Sequence, residues 1–361
     1  MRTLIPAVPV VLALGILTTA CSSPRPEAPT VMLPRGGDTV ATALDEVTEA
    51  AWLGAGRYAV VSPTDRRVLL VDFHARSTTP LDSARLMNPN GVFAVGDTLW
   101  VRDWGRRRLT AWHGGRLVDS IPAPDATRGA LPQARDGAGR FYAELYPIIR
   151  PDGTGSRDSA LVLRGDRTFA RADTVVQLSP LDVTKVQSRE GERFERRVFS
   201  GQDRWGVARD GALWVARVYQ NRVDRIAADG TVRRGEALRD RVLEVTRTDR
   251  ELFKRSFPPE LRSHAENLPF SAVKPPFETA FSGGDGRVWL EKSRAPIDTT
   301  QRYHAVGADG ALDAEVHLPG RGRVLAISDD GRALAVERRD GRVLLVRLRL
   351  PAFAADTAAA P

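Results

Sequence analysis

Cysteine is almost absent from this chain of 361 residues: Cys21 is the only one, so no internal disulfide can form. Lysine is nearly as scarce, with Lys185, Lys254, Lys274 and Lys292 the only examples. The five histidines, His74, His113, His264, His304 and His317, lie far apart, and none stands at metal-ligand spacing from another. There is no Gly-x-Ser-x-Gly elbow, no His-Glu-x-x-His, no phosphate loop and no EF-hand loop, which excludes the chemistries that announce themselves locally. Long apolar runs are also missing. The longest mostly apolar stretch, Leu4 to Leu17, is too short to span a bilayer comfortably.

That stretch follows Arg2 and ends in Leu17-Thr18-Thr19-Ala20-Cys21, the layout of a secretory signal closed by a small residue and a cysteine. The ending resembles the lipobox of bacterial lipoproteins. The resemblance implies that residues 1–20 are a signal peptide and that Cys21 is acylated and becomes the mature N-terminus. It also implies a protein exported and anchored in the cell envelope, on the periplasmic face or the cell surface. With about 0.8 kcal/mol per buried methylene, two or more acyl chains hold firmly where one does not. Residues 21–37, with Pro24, Pro26, Pro29 and Pro34, are expected to form an extended tether.

What the chain has in quantity is arginine. The net charge of +8 is carried by arginines scattered through the sequence rather than gathered on one helix. A basic balance can serve nucleic acid or an anionic membrane. An exported protein rarely meets nucleic acid, so none is expected as a partner, and the arginines are read as a solvated surface.

The phrase from Gly211 to Gly230 organises the rest. Leu213 and Val215, then Val223, Arg225 and Ala227, form two alternating runs joined by a polar turn at Tyr219 to Asn221. This is the signature of paired antiparallel strands. Six such units align on a glycine ahead of a bulky strand position: Gly56, Gly96, Gly139, Gly211, Gly286 and Gly331. A strand precedes each glycine and another follows each hairpin, giving four strands per repeat and an all-β, six-bladed β-propeller. The last unit has no room for a fourth strand. Thr39 to Leu44 alternates suitably and is expected to close the ring as the outer strand of blade six. The domain then covers residues 38–350, and a disordered tail follows at 351–361.

Asp/Gly-Gly-x-[Leu/Val]-Trp, seen at Gly211 to Trp214 and Gly286 to Trp289, resembles six-bladed propellers of the NHL and gluconolactonase-like superfamily. Trp100, Trp214 and Trp289 occupy equivalent places and are expected to pack between blades. Four insertions interrupt the repeats: Glu144 to Ser159, Ser179 to Gln202, Arg239 to Pro275 and Lys292 to Gln301. In a propeller these connections leave on one face. The insertion 239–275 carries a short helix between blades four and five, with a capping box at Thr248 to Glu251, a stop at Pro258-Pro259, and Leu252, Phe253 and Phe257 facing inward.

Two functional readings follow. In the first, the inserted face binds an envelope protein, peptide or glycan through Trp104, Arg106, Tyr146, Tyr219, Asn221 and Arg294, because aromatic and arginine side chains anchor interfaces and stack on sugars. This reading expects a monomer without a cofactor. In the second, which the resemblance implies, the chain is a divalent-cation-dependent hydrolase or lyase of the gluconolactonase-like type. Oxygen ligands drawn from separate blades, here Asp103, Glu144, Asn221 and Glu291, would then hold calcium or another divalent cation.

Overall fold

The computed structural model describes residues 27–150, 156–188, 191–351 and 353. Residues 1–20, Cys21 and most of the 351–361 tail lie outside the described residues, and so does part of the blade-three insertion.

Six antiparallel blades of four strands follow one another around a central channel, each starting at its innermost strand, and the fifth carries one further strand on its outer edge. Blade one is Glu49–Trp52, Arg57–Ser62, Arg67–Asp72 and Ser77–Pro80. Blade four, the repeat that organises the sequence, is Arg204–Val207, Leu213–Arg217, Arg222–Ile226 and Val232–Arg233. The glycines that align the repeats all sit in the turn between first and second strands with positive φ, from 59° at Gly96 to 85° at Gly139. A side chain is strained in that conformation, which is why glycine recurs there.

The apolar alternation of the second and third strands sends successive side chains to opposite faces of each blade. The core is therefore six wedges, one between each neighbouring pair of blades. Trp214 of blade four packs with Phe277, Leu290 and Val306 of blade five, while Leu213 and Val215 pack backwards against Tyr142 and Val162 of blade three. Trp100, Trp214 and Trp289 are 4%, 2% and 0% exposed, as expected of inter-blade packing. Truncating any one to alanine would cost about 3–5 kcal/mol.

The ring closes as the sequence predicts. Asp38–Ala41 pairs antiparallel with Arg342–Arg349 as the outer strand of blade six, Val40 is buried, and Asp38 takes an ion pair from Arg347 at 2.7 Å. The expected tether is corrected in its described part. Thr30–Met32 pairs in parallel with Leu312–Pro319, the outer strand of blade five, and Leu33 is only 2% exposed. The apolar side chains of Val31 and Leu33 and an open sheet edge give that segment a seat despite its prolines. The tail is corrected in one residue: Phe353 packs against Trp289 at 6.1 Å, beneath the guanidinium of Arg287.

The insertions meet on one face. Val183–Ser188 pairs antiparallel with Gly191–Arg196. Beyond it, Val198 bridges Phe270 in the next insertion. Phe199, Phe253, Phe257 and Phe270 form an aromatic cluster with ring centres 5.1–6.1 Å apart. The helix Arg247–Arg255 begins earlier than expected, because Thr246 and Asp249 form the capping box and Thr248 falls inside the helix. Leu252, expected to face inward, is half exposed; Phe253 and Phe257 do pack inward.

Candidate functional site

A channel of about 650 Å³ runs between the innermost strands. Its two ends differ because of where the repeat changes character. Near the turn between first and second strands the repeat is apolar, as at Leu213 and Trp214. At the other end the second strands finish in charged residues: Arg102 and Asp103, Glu144, Arg217, Glu291 and Lys292. The charged end is the inserted face.

At that mouth Arg102 donates to both oxygens of Glu49, each at 3.0 Å. Arg323 donates to Glu291 at 2.7 Å. The indole N–H of Trp205 donates to Glu144 at 2.8 Å. Arg204 has no such partner: among the described residues no carboxylate lies within 4 Å of its guanidinium. One of its terminal nitrogens donates to the Glu278 carbonyl at 3.0 Å, and its Nε is buried without a partner.

Burial dominates the electrostatics. It raises the Glu144 carboxyl above its ordinary range, with Trp205 only partly offsetting it. Burial likewise raises Glu291, even with Arg323 alongside. It lowers the Arg204 guanidinium, and the like charge of Arg196 adds to the effect. Arg196 is lowered by burial too, and donates to Ser200 and Gln202 rather than to a carboxylate.

The residues singled out in the sequence fall on the inserted face, but not as one cluster. Trp104, Tyr146 and Tyr219 are 51%, 54% and 55% exposed around the rim, with the Tyr219 hydroxyl donating to the Pro180 carbonyl. Arg106 donates to the Ala84 carbonyl. Arg294 keeps one terminal nitrogen buried without a partner.

The four oxygen ligands proposed for a cation are not gathered. Asp103 is fully buried and accepts backbone N–H groups from Met87, Asn88 and Arg106, which makes it a turn support. Asn221 adopts φ 45° in the blade-four turn, where Arg66 and Arg107 stand at 55° and 50° in the matching turns of blades one and two; asparagine tolerates that conformation. Its amide donates to the Leu238 carbonyl and its oxygen accepts from Lys292. Glu144 and Glu291 do reach the mouth, but each is engaged as described. Among the described residues, no three His, Cys, Asp or Glu side chains are placed to share a metal ion.

Sequence reading missed Arg102, Arg204 and Arg323. Each looks like one more arginine in a chain full of them, and only the register between blades puts all three on one lumen. It also missed a buried charge cluster between blades four and five. Lys292, 0% exposed at its side chain, pairs with Asp240 at 2.9 Å, Asp240 with Arg302 at 3.1 Å, and Arg302 with Glu315 at 3.4 Å. His304, fully buried beside them, is lowered to about 4, by burial first and by Lys292 second.

No family model matches the chain, and no curated protein matches it. Solved structures similar to it include regucalcin, a calcium-binding protein from Agrobacterium tumefaciens, at 9% identity over 90% of this chain and 98% of that one, with a TM-score of 0.46. They include a gluconolactonase from Xanthomonas campestris at 13% identity, over 88% of this chain and 87% of the other, with a TM-score of 0.41. A streptogramin B lyase is similar at 10% identity over 87% of each chain, with a TM-score of 0.40.

Proposed function

We propose that the chain is a lipid-anchored envelope protein, held through Cys21, whose inserted face binds a protein, peptide or glycan. The observation that carries the reading is the rim: Trp104, Tyr146 and Tyr219 are each about half exposed on the face where the channel lined by Arg102, Arg204 and Arg323 opens. Large aromatic side chains left in solvent add nothing to the stability of the ring, whereas they anchor an interface once a partner covers them. The aromatic cluster beneath the insertions supports the same reading, because it gives the rim a fixed shape before any ligand binds.

The test titrates the soluble form starting at Ser22 against fractionated envelope extract. A single saturable partner, lost when Trp104→Ala is combined with Tyr219→Ala and indifferent to chelator, is the expected result. Esterase or lactonase turnover that chelation removes and calcium restores would replace this reading with the cation-dependent hydrolase.

A further inference from the structure

Resting on that binding reading, we infer that the occupant of the channel mouth is an uncharged oligosaccharide, held at a subsite built from Glu144, Trp205, Tyr146, Gln133 and the Arg102–Glu49 pair. All of these but Tyr146 line one cavity of about 650 Å³. Tyr146 joins them from the rim. Its side chain is about half exposed, while its hydroxyl is raised by burial first and by the charge of Glu144 second.

The balance of charge at the mouth selects against an ion. Arg102 meets Glu49 at 3.0 Å and Arg323 meets Glu291 at 2.7 Å, and Arg204 has Glu144 and Glu49 as its electrostatic neighbours. An anion entering here meets Glu49 and Glu144, and a cation meets Arg102 and Arg204. What the mouth leaves open is hydrogen bonding. The Trp205 indole occupies one oxygen of Glu144, and among the described residues nothing donates to the other. Gln133 brings an amide, which both donates and accepts. A sugar hydroxyl also does both, and it brings no charge.

The aromatic rings select the carrier. Trp205 and Tyr146 stand beside the same carboxylate, so the C–H face of a sugar ring can pack on an aromatic surface while its hydroxyls reach Glu144 and Gln133. An uncharged peptide segment brings apolar side chains instead, and the carboxylate, amide and guanidinium groups of this wall would lose water to them without compensation. Trp104 and Tyr219 add further exposed rings on the same face, which suits a chain of sugars rather than a single one.

The test applies the soluble form starting at Ser22 to an array of neutral and acidic glycans, and measures the hits by calorimetry at about 50 and about 500 mM salt. Neutral oligosaccharides are expected to bind, with affinity changing less than about twofold between the two salts. Tyr146→Ala is expected to weaken them at least tenfold with an unchanged melting temperature, and Tyr146→Phe, which keeps the ring, to retain most of the affinity. Hits confined to acidic glycans, binding that the higher salt abolishes, or no neutral hit above the Tyr146→Ala signal would each overturn the inference. The two proposals separate in the extract titration. A partner destroyed by periodate and lost with Tyr146→Ala supports the glycan. One destroyed by protease but not by periodate refutes the glycan and leaves the binding face standing, and the absence of any saturable partner refutes the binding reading itself.

Discussion

Asp240→Asn should be among the most damaging single substitutions in the protein, and the reason is Lys292. The Lys292 ammonium has no exposure, and its hydrogen-bonding partners are Asp240 at 2.9 Å and the Asn221 side-chain oxygen at 3.3 Å. Burial works against the charge on Asp240, but Lys292 and Arg302 outweigh it and hold its pKa below the ordinary value. Burial pulls Lys292 down further than Asp240 lifts it. The pair is thus held together by mutual need. Removing the carboxylate strands a buried cation next to Arg302, and breaking such a pair from one side costs about 3–5 kcal/mol. For a propeller of this size that is a melting temperature lower by roughly 5–8 °C.

The sign of the pH dependence follows. A lysine whose folded pKa is depressed binds fewer protons folded than unfolded, so stability rises with pH up to the unfolded value near 10.4. The depression deepens in Asp240→Asn, so the gap to the wild type should narrow as pH climbs from 7 towards 10. Lys292→Met added to Asp240→Asn should recover most of the loss, since it removes the stranded charge. Urea unfolding at pH 7 and pH 9 measures all three proteins. A gap under about 1 kcal/mol, or one that stays constant with pH, would refute the account of this pair.

Three further outcomes are expected. His304 is neutral when folded and lowered to about 4, so wild-type stability should fall between pH 6.5 and 4 by up to about 3 kcal/mol, a slope that His304→Leu should lack when the two are unfolded in parallel. Deleting residues 38–41 should lower the melting temperature more than deleting 27–36, because it opens the ring and uncovers Leu345, while the shorter contact at Thr30–Met32 should make the second deletion measurable as well. Phe253→Ala should raise amide exchange in residues 191–199 and 247–271 and leave the second strands of the blades unchanged, since its three ring partners lie within the insertions.

The repeat was legible because its landmarks have local causes. A glycine at positive φ, an alternating run and a turn recur every forty to seventy-five residues, and each is set by neighbours in the chain. The closing strand was legible by subtraction, as one segment without a partner beside one blade without an outer strand. The Thr30–Met32 strap was not, because four prolines read as a tether and its partner lies 285 residues away in the register Thr30 to Glu315. The metal reading of Asp103 failed for a related reason. A carboxylate at the end of a strand has the same local sequence whether it supports a turn or points into a lumen, and only the backbone N–H groups of Met87 and Asn88 decide the matter.

The candidate site and the stability of the ring are built from the same repeat position, one residue apart. At the inserted end of blade five's second strand, Glu291 turns one way to meet Arg323 of blade six, and its neighbour Lys292 turns the other to meet Asp240 beside blade four. In blade two, Arg102 reaches Glu49 on the lumen while adjacent Asp103 supports the turn. Period-two alternation therefore sends Glu291 and Lys292 to opposite faces of blade five, each towards a different neighbouring blade. A charge aimed at the frame must find a partner within the protein, and Lys292 and Asp103 do. The charges at the lumen are matched as well, Arg102 by Glu49 and Glu291 by Arg323. Asp240→Asn should therefore weaken the frame around Lys292 while leaving the Arg102–Glu49 and Arg323–Glu291 pairs at the mouth in place.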